Sequence, residues 1–234
     1  MRTKLFAIPF FISVFIMFSS CEDDTENPPE PSSDYTSKVL LRLDASDTTT
    51  MVLNGEEIES WSSTIGNATA IADGEKFTYN DTNQMAVCNF RGSLGVNNLG
   101  ATVHGFFLVG RIMSNAGYSV ILGYAPEDNG TVDSRYLIRE HSTMAYGKSP
   151  MGYFNDSTER VSPFPNSLPG HSNTHLFYAD VNDNDVSNTF YLGSKGNGQD
   201  GTYAYKEIVV VKEALSELEK EALVNELLNK WGLN

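Results

Sequence analysis

An all-β jelly-roll β-sandwich with one C-terminal α-helix is the architecture expected of this 234-residue chain. Three observations point to it. Short runs rich in Val, Ile, Phe, Tyr and Thr recur along the body, and clusters of Gly, Asn, Asp and Ser separate them. Only the last segment carries an apolar repeat of helical period.

The chain opens MRTKLFAIPFFISVFIMFSSCEDD. Arg2 and Lys4 give a positive start, Leu5 to Phe18 is an uncharged, largely apolar run of 14 residues, and the small Ser19 and Ser20 precede Cys21. This is the pattern of a secretory signal, and the run falls short of the ~20 apolar residues that a spanning helix needs. Residues 1–20 are therefore expected to be a signal peptide, and a plain signal cleaved near Ser20 fits the same pattern. Residues 21–37 read CEDDTENPPEPSSDYTS, acidic and rich in Pro and Ser with almost nothing to bury, which predicts a disordered tether. Residues 38–234 contain no comparable linker and are long enough for a single core, so they are read as one domain.

Within that domain the expected strands are Val39–Asp44, Lys76–Tyr79, Met85–Phe90, Thr102–Met113, Tyr118–Tyr124, Arg135–Arg139, His175–Asp180, Thr189–Leu192 and Tyr203–Val211. Asp73-Gly74, Asn129-Gly130 and Asn197-Gly198 are read as turns. Many short strands with regular turns argue for an antiparallel sandwich. Ser216 and Glu219 form a capping box at the start of the helix. Leu218, Ala222, Leu223, Leu227 and Trp231 form its apolar face, and Gly232 stops it, so it is expected to pack on the sandwich.

Charge and cysteine count exclude several functions. Removing residues 1–20 takes away two basic and no acidic residues, which deepens the net charge from −14 to −16. An acidic surface repels phosphate backbones, so no nucleic acid partner is expected. No second long apolar segment exists, so membrane attachment would rest on a lipid. Only Cys21 and Cys88 are present, too few for a disulfide framework or a cysteine metal site. Cys88 lies in the strand-like MAVCNF, where a buried thiol is expected.

Two resemblances add to this reading. The opening segment resembles a bacterial lipoprotein signal, which implies lipidation of Cys21, and Glu22, Asp23 and Asp24 resemble the acidic export signal of Bacteroides-type surface lipoproteins. That implies a lipid anchor in the outer membrane, facing the cell exterior. The two ends of the domain, LLRLDASDTTTMVLNGEEIESWSSTIGNATA and YAYKEIVVVKEALSELEKEALVNELLNKWGLN, resemble the concanavalin A-like lectin/glucanase superfamily, particularly its laminin-G-like branch. The matching residues are Leu43 to Asp47, Trp61, Ser62 to Asn67, Ile208–Val211, Ala214–Ser216 and Lys230–Leu233. The resemblance implies a jelly-roll sandwich with paired terminal strands. Leu43 and Trp61 are read as core residues.

Most signatures of chemistry are absent. Gly196 to Gly201 match G-x-G-x-x-G, but a β-rich run follows where a dinucleotide site needs a helix. Asp180 to Asp185 resemble the start of a calcium loop, but the sixth position is Asp185 in place of Gly and the twelfth is Tyr191 in place of Glu. No cofactor is expected; the resemblance allows calcium, and the residues do not predict it. The E-x-D-x-x-E glycanase motif does not occur, and Glu56, Glu57 and Glu59 cluster with no motif to organise them. No H-E-x-x-H or G-x-S-x-G occurs either. The chain is accordingly expected not to be an enzyme.

Tyr146 to Pro169 reads as a long irregular segment with four prolines and several aromatics, and it is the expected ligand surface. Sugar sites combine aromatic faces with amide, carboxylate or guanidinium groups, because C–H faces stack while hydroxyls hydrogen-bond. Tyr146, Tyr153, Phe154, Asn155, Asp156 and Arg160 supply that mixture. The leading expectation is thus a non-catalytic surface lipoprotein that binds a polysaccharide or other glycan. A structural or adhesive protein that binds a surface protein partner is the second reading, and a glycan hydrolase with two paired carboxylates in a groove is the third.

Overall fold

The computed structural model describes residues 33–74, 77–89, 92–97, 99–113, 118–124, 136–141, 144–147, 151–154, 159–161, 167–169, 173–181, 189–193 and 202–234. The signal, Cys21 and most of the expected tether lie outside them. The described strands in chain order are β1 (Val39–Asp44), β2 (Met51–Asn54), β3 (Glu57–Ser62), β4 (Thr69–Gly74), β5 (Phe77–Asn80), β6 (Met85–Cys88), β7 (Gly92–Asn97), β8 (Gly105–Ile112), β9 (Tyr118–Tyr124), β10 (Tyr136–His141), β11 (Met144–Gly147), β12 (Met151–Phe154), β13 (Glu159–Val161), β14 (Ser167–Pro169), β15 (His175–Asp180), β16 (Thr189–Gly193) and β17 (Tyr203–Val211). One helix, α1 (Glu217–Trp231), follows. The all-β sandwich with one C-terminal helix expected from the sequence is the fold that forms.

Every strand pairing is antiparallel, and the pairings resolve into two sheets. The first runs β1-β17-β8-β15-β12-β13. The second runs β2-β3-β4-β7-β16-β9-β10-β11-β14. The short β5–β6 hairpin bridges them at one edge, since β6 pairs with β17 while β5 pairs with β3.

Between the sheets lies the main core, which includes Leu41, Leu43, Trp61, Phe106, Leu108, Phe177, Phe190, Leu192 and Ile208. A second apolar cluster covers the outer face of the first sheet, where Phe107, Val109, Leu176, Tyr178 and Val209 meet Leu223, Val224, Leu227 and Leu228 of α1. Alternate residues of β8, β15 and β17 thus enter two different cores. That explains why these strands read as unbroken apolar runs, where a sheet wet on one face would alternate. Backbone approach is close at their centre: a Cβ on Gly110 would run into the Ala204 carbonyl oxygen across the β8–β17 pairing.

Helix α1 begins as the sequence predicts. The Glu219 N–H donates to Ser216 Oγ at 3.3 Å, and the Ser216 N–H donates to the Glu219 carboxylate at 2.7 Å. It ends at Gly232, which is left-handed at φ 63°. Its buried stripe differs from the expected one. Leu218 is 42% exposed, whereas Val224 and Leu228 are buried. Glu219 occupies the inward position of the first turn because its carboxylate serves the cap and an ion pair with Lys38 at 2.7 Å. Tyr35, within the stretch read as tether, is buried beside α1 and donates to Glu226.

Eight strands escape the sequence reading: β2, β3, β4, β7 and β11 to β14. Asp73-Gly74, expected as a turn, instead pairs in β4 with Ser93 and Gly92 of β7. A tight turn forms instead at Gly55-Glu56, where Gly55 takes φ 65° in a two-residue loop between the paired Asn54 and Glu57. Asn129-Gly130 and Asn197-Gly198 lie outside the described residues.

The two ends that carry the superfamily resemblance meet in space. β1 pairs with β17 from Val39–Val211 to Asp44–Glu207. Asp44 Oδ1 accepts from the Ser46 N–H at 2.9 Å and the Ser46 hydroxyl at 2.6 Å, while Oδ2 accepts from Lys230. Glu207 is fully buried and accepts from Arg42, from the Trp231 indole N–H at 2.6 Å, and pairs with Lys230 at 2.8 Å. These motifs therefore knit β1, β17 and α1 together. Leu43 and Trp61 are both fully buried, as expected.

Candidate functional site

A groove of about 640 Å³ opens at the bridged edge of the sandwich. The β2–β3 hairpin supplies Leu53, Gly55 and Glu56, the β5–β6 hairpin supplies Thr78 to Thr82 and Val87, and Thr48, Asn89 and Met113 complete the lining. Its size lies within the range typical of small-ligand sites.

Local sequence builds each wall. The Tyr79 N–H donates to the Glu56 carbonyl at 2.7 Å, which fastens the β2–β3 turn to β5. The Tyr79 hydroxyl donates to the Ala45 carbonyl at 3.0 Å, so the ring is fixed at both ends. Asn80 Oδ1 accepts from the Asn83 N–H at 2.9 Å and closes the four-residue loop at 81–84. Gln84, at φ 49°, returns that loop into β6. Lys206 donates to the Asn83 carbonyl at 3.1 Å and ties the loop to β17. Asn89 Nδ2 donates to Thr78 Oγ1 at 3.2 Å.

The groove is negative. Burial pushes the Tyr79 hydroxyl pKa up, and the charges of Asp81 and Asp44 push it further. Glu56 and Asp81 contribute carboxylates, and no Lys, Arg or His lines the groove among the described residues. Amides, hydroxyls and two carboxylates beside Leu53 and Met113 can hydrogen-bond a polyhydroxylated ligand while the apolar walls receive its C–H face. Among the described residues, no group of three or more His, Cys, Asp or Glu side chains could hold a metal ion.

The residues singled out from sequence lie elsewhere. Tyr146 sits on β11 opposite Arg139 and Ser167. Tyr153 sits on β12 opposite Arg160 of β13 and Phe177 of β15, and Phe154 lies in the next row, opposite Glu159 and Leu176. The strands therefore bring Tyr153 and Arg160 to facing positions and place Phe154 in a different row from theirs. Asn155 and Asp156 lie outside the described residues, as do most of the calcium-like stretch and all of the glycine-rich 196–201. Sequence reasoning missed the groove because its lining comes from two hairpins and three separate loops. Asn54-Gly55 was the available signal for the first hairpin.

No protein-family model matches the chain, and no curated protein matches it. Its fold is similar to solved structures of Trypanosoma rangeli sialidase. One has a TM-score of 0.47 and 14% identity over 85% of this chain and 34% of that one. The same sialidase in complex with sialic acid has a TM-score of 0.49 and 13% identity over 86% and 34%. A mutant displaying trans-sialidase activity gives 0.48 and 16% over 82% and 34%. This chain spans about a third of the length of those proteins. The expectation that the chain is not an enzyme is corrected by this finding: the solved structures named here are sialidases.

Proposed function

We propose that this chain is a carbohydrate-binding surface lipoprotein with a domain of concanavalin A-like, laminin-G-like type. The groove between the β2–β3 and β5–β6 hairpins is the observation that supports the reading. It combines amides, hydroxyls and carboxylates with exposed apolar walls in one concavity. Tyr146, Tyr153, Phe154, Asn155, Asp156 and Arg160 are proposed as a further sugar-contacting surface, in which Tyr153 faces Arg160 across β12–β13.

Glycan-array and affinity-gel binding test this. Asp81→Asn with Asn89→Ala is expected to weaken binding roughly tenfold, the scale of a lost hydrogen bond to a charged group. Tyr153→Ala with Phe154→Ala tests the second surface, and unchanged binding in that variant removes it. A wild-type protein that binds no glycan overturns the function.

The same groove favours a second reading, glycan hydrolysis, because it brings together Glu56 and Asp81 from different hairpins. Such a pair can serve as acid and as base or nucleophile. Release of reducing sugar that is lost in Glu56→Gln and in Asp81→Asn supports it, and a wild-type protein without release discards it.

The anchor is proposed at Cys21, with the domain outside the outer membrane. Cys21→Ser is expected to abolish acyl labelling and free the protein from the membrane fraction. Protease shaving of intact cells checks the orientation, and full protection overturns it.

A further inference from the structure

We propose that Asn54-Gly55 is a self-modifying site. The main-chain nitrogen of Gly55 attacks the side-chain amide of Asn54 and turns it, through a cyclic imide, into aspartate and isoaspartate on the wall of the groove. The inference stands on the β2–β3 hairpin and holds whatever the groove binds.

Four features of the hairpin converge on this dipeptide. Asn54 is exposed at the end of β2, and Asn54–Glu57 is the terminal pair of the β2–β3 ladder. Gly55 has no side chain to crowd the attack, and the place its Cβ would take has nothing within 4 Å. Among the described residues, no hydrogen bond holds the Asn54 side chain or the Gly55 N–H. Both reacting groups are therefore free to meet once the terminal pair opens, with the advantage of an intramolecular reaction. Asn80 and Asn89, which line the same groove, lack this combination. Asn80 Oδ1 accepts from the Asn83 N–H at 2.9 Å, and Asn89 Nδ2 donates to Thr78 at 3.2 Å. The residues after them are Asp81 and Phe90, which carry a Cβ where Gly55 has none.

Water is the only co-reactant. The Gly55 nitrogen gives up its proton to solvent, and its electron pair forms a bond to Asn54 Cγ. The Cγ–Nδ2 bond breaks, and that nitrogen leaves with a proton as ammonia. Water then opens the five-membered imide at one of its two carbonyls. Opening at the side-chain carbonyl gives aspartate. Opening at the main-chain carbonyl gives isoaspartate, in which the main chain runs through Cγ and is longer by a carbon. Leu53, Gly55 and Glu56 of this hairpin line the groove. The Glu56 carbonyl accepts from the Tyr79 N–H at 2.7 Å, so a carbon added between Leu53 and Glu56 works against that bond. Conversion therefore loosens the hairpin from β5 and places a new negative charge near Glu56.

Peptide mapping by mass spectrometry tests this, with the full chain kept folded in warm, mildly alkaline buffer. The Asn54 peptide is expected to gain isoaspartate with time, read by enzymatic methylation of isoaspartyl groups, and ammonia should appear with it. Asn80 and Asn89 in the same sample are expected to stay unconverted. Asn54→Gln places the carbonyl one bond further from the nitrogen and is expected to abolish conversion at this site. Hydrogen exchange at the Tyr79 amide reads the hairpin. It should be faster in the isoaspartate fraction and unchanged in Asn54→Asp, which carries the charge without the added carbon. Thermal melting confirms that each variant is folded.

Conversion at Asn54 no faster than at Asn80 and Asn89 overturns the inference, as does conversion seen only after the chain is unfolded. Tyr79 exchange that is the same before and after conversion overturns the claim that the groove wall shifts. The carbohydrate reading is decided separately, by glycan binding alone.

Discussion

The Glu207 carboxylate is fully buried, and a guanidinium, an ammonium and an indole N–H converge on it. Removing one member of a buried ion pair leaves its partners desolvated without compensation. Glu207→Ala is therefore expected to cost about 3–5 kcal/mol in chemical denaturation. Glu219 sets a pH dependence. Bonds from Lys38 and then the Ser216 N–H lower its pKa from 4.5 to about 2. The folded protein thus binds this proton more weakly than the unfolded chain does. Its contribution is complete above pH 4.5 and disappears as pH falls from 4.5 to about 2. The thermal midpoint of Glu219→Gln should be lower than wild type at neutral pH, with the gap closing across that window. At this scale the sequence is legible wherever one residue has one role: Leu43, Trp61 and Cys88 are all buried, as their apolar surroundings predict. It misleads at Leu218, because the helical period cannot show that Glu219 turns inward to serve both a cap and Lys38.

Among the elements, the strands that the sequence reveals include those with unbroken apolar runs fed into two cores, such as β8, β15 and β17. Two of the hidden ones, β3 and β7, carry Gly, Ser or Glu between their core residues. β7 reads GSLGVN and β3 reads EIESWS, and pairing to neighbouring strands outweighs their weak local preference. Glycine within β8 is there for packing. Gly110→Ala would drive a methyl group against the Ala204 backbone in the β8–β17 pairing and is expected to cost about 1–3 kcal/mol, read as a lower denaturation midpoint. The groove belongs to this scale too. Its lining is drawn from stretches around Thr48, Leu53 to Glu56, Thr78 to Asn89 and Met113, so no single local motif announces it.

For the whole molecule, composition and strand rhythm suffice for the all-β class and the single helix, because both follow from periodicity. How the strands are shared between two sheets does not, since pairings such as β4 with β7 and β8 with β17 join residues far apart in the chain. The helix is part of the sandwich as much as a cover for it. A chain ending after Val211 would leave Phe107, Val109, Leu176, Tyr178 and Val209 without the apolar side chains of α1. It is expected to bind a hydrophobic dye and aggregate on gel filtration, and a monodisperse product would contradict this.

The position of β17 has a consequence for the life of the polypeptide. It is the last of the described strands in chain order, yet β1, β6 and β8 all pair with it. Until Tyr203 to Val211 leave the ribosome, β1 lacks the strand it pairs with among the described residues and the first sheet lacks its spine. Most contacts must then close large loops, which slows folding.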